Sequence, residues 1–381
     1  MQVEFHHSID ELEQSEWDAL VVDANPFLKY AFHAALEHHD CVGSKFGWTP
    51  CHLVIRQDAR MVGLSPLYIK SNSYGEFVFD HAWADAYQRS GRRYYPKLVS
   101  AIPYTPAYGE RLLVDPNADV IGIRKLMISA TREMAKESGL SSMHWLFTTE
   151  EEGAVLKSMG MLERLGVQFH WRNQGYESFD HFLAQLTAKR RKNIRQERRK
   201  VADTGIRFRV LHGNEVSDDE WQLFADFYTK TFEERYSLAT LNAGFFREVG
   251  RTMGEQVVLI LAYEDQACIA GALLYRSQSV LYGRHWGASR HHDSLHFETC
   301  YYQGIEYAIR HKLQRFEPGA QGEHKIWRGF LPARTRSYHW IGDPEFSFAI
   351  QEFLSRETPA IKNYQQNLLS SSPFRENSLP I

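Results

Sequence analysis

Cysteine is scarce in this chain: four in 381 residues, Cys41, Cys51, Cys268 and Cys300, with no CxxC pair among them. That excludes a disulfide-stapled scaffold. Long apolar runs are missing as well, since no stretch approaches the ~20 residues a helix needs to cross a bilayer. The opening residues, MQVEFHHSIDELEQSEW, lack the charged-then-apolar order of a secretory leader, so the cytoplasm is the expected compartment. Charge of one sign is also lacking: the net is -3, which gives no global attraction to nucleic acid or anionic lipid. There is no GxSxG elbow and no Cys/His dyad, so chemistry through a nucleophilic side chain has no visible carrier.

What is present is enough apolar and aromatic residue, 43% and 13%, to build packed interiors, in a chain long enough for two domains. The same order of signals occurs twice. CHLVIRQDARMVGLSPLYIK (51–70) reads as strand, turn at Gln57–Arg60, strand; VVLILAYEDQACIAGALLYRS (257–277) repeats the plan around Glu264-Asp265-Gln266. Each hairpin is followed by an amphipathic helix and a further strand, at 121–139 and 142–147 in the first half and at 295–312 and 313–320 in the second. Hairpin, helix, strand predicts a mixed α/β (α+β) fold rather than a doubly wound one. Two copies predict domains at 1–170 and 171–365, with a seam near 165–180 that holds the turn Asn173-Gln174-Gly175, and a flexible tail at 369–381.

Charge is concentrated in HFLAQLTAKRRKNIRQERRKVAD (181–203), which has no Gly or Pro and is expected to be one helix. Eight of the twelve positions Lys189–Lys200 are Lys or Arg, against the single Glu197. Arg191, Arg195 and Arg198 fall at i, i+4 and i+7, a cationic stripe suited to phosphates or to solvent. His285, His291, His292 and His296 with Cys300 suggest a metal, but without HExxH, and with a helix starting only near Leu295, no metal is expected. Near the end, Glu323, His324 and Lys325 crowd one turn that Gly319 and Gly322 make a natural strand exit; Glu323 and His324 are the candidate base pair, with Glu298 a further carboxylate. In the first half, Glu76 and Asp80 alternate with aromatics, so Asp80 and Trp83 are read either as core or as the lining of an acceptor cleft.

Four phrases carry a family resemblance across about residues 5–360: YGEFVFDHAWA (74–84), LYGRHWG (281–287), LHFETCYYQG (295–304) and GAQGEHKIWRGF (319–330). The chain resembles the Fem-like predicted N-acyltransferases, also called peptidoglycan biosynthesis/recognition proteins, and the Arg-Lys-Asn-Ile-Arg helix at 191–195 belongs to the same pattern. The resemblance implies tandem GNAT-like domains and transfer of an acyl or aminoacyl group to an amine. It also implies a phosphate contact from Lys325 or Arg328. GNAT acyltransferases hold a donor pyrophosphate in a Gly-containing loop, and Arg284-His285-Trp286-Gly287-Ala288-Ser289 is similar to that motif except for its last residue, so Arg284, Gly287, Ala288 and Ser289 are the implied donor contacts.

Three functions are therefore expected, in order: an N-acyltransferase with acyl-CoA as co-substrate and no bound cofactor; an aminoacyltransferase using aminoacyl-tRNA; and a non-catalytic peptide or glycan-binding module. The acceptor is a small-molecule or peptide amine. The active centre is expected between the loop Arg284–Ser289 and the turn Glu323–Arg328.

Overall fold

The computed structural model describes residues 1–320 and 322–375, and it is an α/β structure of two units. The first comprises residues 1–22, 27–167 and 334–364; the second comprises 23–26, 168–333 and the residues from 365 on. The main break between them falls at 167/168. The stretch 334–364, expected in the second domain, packs in the first unit instead. Its strand half pairs there, Ser337–Ile341 against Ser142–Leu146, a tertiary preference that local sequence does not display.

The first unit contains strands β1 (Gln2–His6), β2 (Trp48–Pro50), β3 (His52–Gln57), β4 (Arg60–Ser65), β5 (Tyr68–Lys70), β6 (Lys97–Ser100), β7 (Leu113–Val114) and β8 (Ser142–Leu146). Its helices are α1 (Gln14–Ala19), α2 (Tyr30–His38), α3 (His81–Arg89), α4 (Val120–Glu137) and α5 (Glu150–Ser158). Strand β9 (Leu162–Arg172) leads into the second unit. There follow α6 (Phe179–Gln185), α7 (Ala188–Asp203), β10 (Arg207–His212), α8 (Asp218–Glu233), α9 (Ala243–Met253), β11 (Val257–Glu264), β12 (Ala267–Arg276) and β13 (Val280–Ala288). After these come α10 (Leu295–Phe297), a π-helical turn (Glu298–Tyr302), α11 (Gln303–Arg310), β14 (Arg315–Glu317) and a 3₁₀ turn (Glu323–Arg328). Strand β15 (Leu331–Ile341) and helix α12 (Pro344–Ser370) close the described chain.

Strand order repeats between the units. In the second, β10, the hairpin β11–β12 and β13 are antiparallel neighbours, β14 runs parallel to β13, and β9 runs antiparallel to β14. In the first, β1 and the hairpin β3–β4 are antiparallel neighbours. Beyond the break at Pro66-Leu67, β5 pairs antiparallel with β6, β8 runs parallel to β6, and β15 runs antiparallel to β8. The hairpin turns are as expected: Asp58 (φ 50) and Ala59 (φ 65) both take the left-handed conformation that a two-residue turn requires.

Cores follow the pattern of the strands. β11 is buried over its first six residues, the continuous apolar run of a strand covered on both faces. Each such Leu or Ile contributes roughly 1.5–3 kcal/mol on burial. In the first unit, Ile123, Met127 and Ile128 of α4 pack on Leu53, Ile55 and Leu98. No helix among the described residues is long and apolar enough to cross a membrane.

Two local expectations change. The basic segment is not one helix: Leu186 and Thr187 are extended (ψ 158 and 152), and the chain restarts as α7. Leu186 is fully buried and bridges to Phe374, so packing overrides helix propensity there. That bridge also corrects the tail. Residues 369–370 end α12, and Phe374 is buried with the Arg375 N–H on the Gln185 carbonyl. The remainder of the expected tail, 376–381, lies outside the described residues.

Candidate functional site

The chemistry-bearing residues of the second unit gather where the π-helical turn meets the 3₁₀ turn. Glycine makes the latter possible. Gly322 (φ 116) and Gly329 (φ 92) bracket it, and a Cβ on Gly322 would lie 2.5 Å from Cε1 of His324. The imidazole therefore folds over a residue that has to be glycine. The π turn is one residue wider than an α turn, a feature found often at functional sites. It carries the consecutive residues Tyr301 and Tyr302 toward the 3₁₀ turn.

Each predicted side chain there has a definite place. His324 meets the Tyr301 hydroxyl through Nε2 at 3.1 Å. Burial, then the charges of Arg328 and Lys325, hold its pKa below the usual histidine value, so the ring is neutral near pH 7. Lys325 is buried, donates to the carbonyls of Pro318 (3.2 Å) and Gly319 (2.9 Å), and forms no ion pair among the described residues. Burial first, with Arg284 adding to it, holds its pKa down at about 8. Arg328 is committed: it bonds Glu197 through Nη2 at 2.6 Å and Nε at 3.2 Å, and its guanidinium lies 3.5 Å from the centre of the Phe297 ring. Tyr302 donates to the same Glu197 carboxylate. Glu323 is exposed at the start of the turn. Glu298 is buried and paired with Arg198 at 3.0 Å, and burial raises its pKa against that pull.

The implied donor loop is instead strand. Arg284 to Ala288 belong to β13; His285 to Ala288 pair with β12, and Arg284 sits at the bulge beside Leu273. Gly287 is required by packing: a Cβ there would sit 2.3 Å from the Phe227 carbonyl oxygen of α8. The Ser289 N–H and hydroxyl both go to the Ile269 carbonyl. Ala288 is packed against the core around Val201 and Ile269, and Arg284 is half-buried with its pKa held down at about 10, chiefly by burial. A short Gly pattern fits a close helix–strand approach as readily as a phosphate cradle, and here it serves the first. Nor do the histidines converge: His292 lies 3.9 Å from Glu264, while His296 packs against Trp286 and Tyr301.

Helix α7 splits the expected stripe. Arg191, Lys192, Arg195, Gln196, Arg199 and Lys200, with Ala188 and the acidic Asp203 at its ends, line an open groove of about 660 Å³ along this one helix. Arg195 and Lys200 make exposed pairs with Asp180 and Asp293, whereas Lys192 and Arg199 make none among the described residues. Arg198 turns away, pairing with Glu298 and Glu306 and stacking on Phe179. It is a structural residue. Beside the groove, Arg190 lies over the ring of Trp327, which is 48% exposed.

In the first unit, Asp80 and Trp83 are both buried. Lys97, 0% exposed, bonds Glu76 (2.8 Å), Asp80 and Ser73 (3.0 Å). Tyr94 donates to Asp80 at 2.6 Å and lies 3.4 Å from His144. Nδ1 of His144 meets Nδ1 of His339 at 2.6 Å, and each imidazole bonds the serine two residues before it, Ser142 and Ser337. Trp83 packs edge-on against His339. Burial opposes the Asp80 charge, yet Lys97 holds its pKa well below the carboxylate range, while burial takes Glu76 up to about 7. The sequence pointed to Glu76 and Asp80 but not to their partner Lys97. The Ser-x-His pairs at 142/144 and 337/339 were the available signal for the rest, since alternation puts both members on one strand face.

The family described as FemAB-like, peptidoglycan biosynthesis/recognition, matches residues 8–376. No curated protein sequence matches the chain. Among solved structures, FemX is similar with TM-score 0.55 and 13% identity, over 92% of this chain and 100% of that one. The C-terminal domain of a putative lysylphosphatidylglycerol synthetase from Agrobacterium fabrum is similar with TM-score 0.53 and 11% identity, over 90% and 96% of the two chains. A conserved protein of unknown function from Bacteroides thetaiotaomicron gives 0.51 and 11%, over 89% and 99%. At such identities the likeness is one of fold, and it agrees with the repeated strand order.

Proposed function

The chain belongs to the FemAB-like family and is an acyltransferase by that membership, and from this premise we propose that it moves an aminoacyl group from aminoacyl-tRNA to an amine acceptor by direct attack. The observation that carries the choice of donor is the exposed cationic groove of α7, next to a β13 whose donor-loop residues are spent on packing and pairing. A polyanion suits a row of exposed cations, because each phosphate neutralised releases a counterion. Coenzyme A needs a pyrophosphate cradle of free backbone N–H groups, and Gly287 and Ser289 do not offer one.

In this reading the amine attacks the ester carbonyl, the N–C bond forms, and the C–O bond to the ribose breaks. His324, neutral near pH 7, takes up the amine's proton and gives it back to the departing ribose oxygen. Lys325, which has no carboxylate partner among the described residues, supplies positive charge where the oxyanion develops. Arg328, already neutralised by Glu197, holds the turn together rather than binding a phosphate.

Ligand-induced thermal stabilisation tests the donor, with aminoacyl-tRNA, uncharged tRNA, coenzyme A and acetyl-CoA in parallel. Stabilisation grows as RT ln(1 + [L]/Kd), about 2.7 kcal/mol at a hundredfold excess over Kd. A shift with the tRNAs that vanishes at high salt supports the reading. A shift only with coenzyme A and acetyl-CoA returns the donor to acyl-CoA, and no shift with any of the four favours a binding module.

A further inference from the structure

The Tyr301 hydroxyl has one hydrogen-bond partner among the described residues, Nε2 of His324 at 3.1 Å. Tyr301 is only 4% exposed, so a phenolic proton without an acceptor would cost about 1–3 kcal/mol. The proton is therefore aimed at Nε2, which makes Nε2 the acceptor and leaves the ring proton of neutral His324 on Nδ1. The neighbouring Tyr302 is excluded from this role because its hydroxyl goes to Glu197 and accepts from Arg328.

We propose that Tyr301 is the proton-transfer residue of the site, with His324 behind it as the base. As the amine attacks, Oη of Tyr301 takes the amine proton and passes its own to Nε2 of His324. Tyrosine ends the step unchanged and His324 ends it as an imidazolium. The C–O bond to the ribose then breaks, and the departing oxygen is reprotonated as the imidazolium returns its proton along the same path. This deepens the acyl-transfer reading and rests on it.

The surroundings fit a base that starts neutral. Arg328, Lys325 and His296 face His324 as charged or titratable neighbours, Phe297 packs on its ring, and Glu323 adjoins it in the chain. Burial, followed by the two cations, keeps the ring unprotonated at neutral pH. The π turn explains how Tyr301 comes to lie there at all, since it carries two consecutive tyrosines to partners on one turn.

Two measurements decide it. In ¹⁵N-NMR of the free protein, His324 is expected as the Nδ1–H tautomer, and Tyr301→Phe is expected to release Nε2 and mix the tautomers. A wild-type His324 held as Nε2–H overturns the relay. In the second, labelled aminoacyl-tRNA is the donor and hydroxylamine the acceptor. Tyr301→Phe and His324→Gln are each expected to lower the enzyme-dependent rate about 10²–10⁴-fold, with tRNA affinity and melting temperature close to wild type. A Tyr301→Phe enzyme within threefold of wild type overturns the relay alone. A wild-type enzyme with no rate above background overturns the acyl-transfer reading and the relay with it.

Discussion

Lys97 holds the polar interior of the first unit together: one buried ammonium serves Glu76, Asp80 and Ser73. Replacing it by Met strands two carboxylates away from water, and an uncompensated buried charge costs about 3–5 kcal/mol. Lys97→Met is expected to lose that much in urea unfolding; a loss below 1 kcal/mol would mean that the cluster is solvated. The same cluster sets a pH dependence. Glu76 has its pKa raised by burial from 4.5 to about 7, so its contribution to stability is complete below pH 4.5 and is lost as pH rises to 7. Lys70 has its pKa lowered by burial from 10.5 to about 7, so its contribution is complete above pH 10.5 and is lost as pH falls to 7. Glu76→Gln should flatten the limb between pH 4.5 and 7, by up to about 1.4 kcal/mol per pH unit. Equal slopes in both proteins would contradict this. Gly287→Ala separates packing from donor binding. A Cβ 2.3 Å from a helix carbonyl forces strand or helix to move, at about 1–3 kcal/mol. The expected result is a lower melting temperature; weakened donor binding at unchanged stability would restore the phosphate-loop reading.

Among the elements, α7 has two working sides, which sequence spacing merged into one. Arg191→Gln, Lys192→Gln and Arg195→Gln together should leave the melting temperature in place and weaken tRNA binding. The slope of log affinity against log salt should fall by about 2–3, because three phosphate contacts are removed. Arg198→Gln should do the reverse, costing roughly 3 kcal/mol of stability because Glu298 is left buried without its partner. Identical behaviour of the two variants would return α7 to a uniform solvated face. The hairpins, their turns and the helix at 120–137 were legible because alternation and helical period are local signals. The break at Leu186–Thr187 was not, because no Gly or Pro marks it and a buried leucine causes it. Nor was the π turn, which has no sequence signature, and with it went the roles of Tyr301 and Tyr302. Glu323, His324 and Lys325 were legible as a cluster, while their ranking depended on burial that only the fold supplies.

For the whole molecule, the central claim is that a duplicated fold carries one acyl-transfer centre in its second unit, served by a cationic groove on α7. Both halves repeat one strand order, yet the first holds a buried polar cluster tied together around Lys97, whereas the second presents a neutral imidazole beside a buried lysine that no carboxylate neutralises among the described residues. The measurement that tests this most directly is single-turnover transfer of a labelled aminoacyl group from charged tRNA to hydroxylamine, with acetyl-CoA as the parallel donor. The account predicts a rate well above the uncatalysed one with charged tRNA, suppressed by excess uncharged tRNA and by the triple Gln variant of α7, and no acceleration with acetyl-CoA. Acceleration with acetyl-CoA and none with charged tRNA would contradict it.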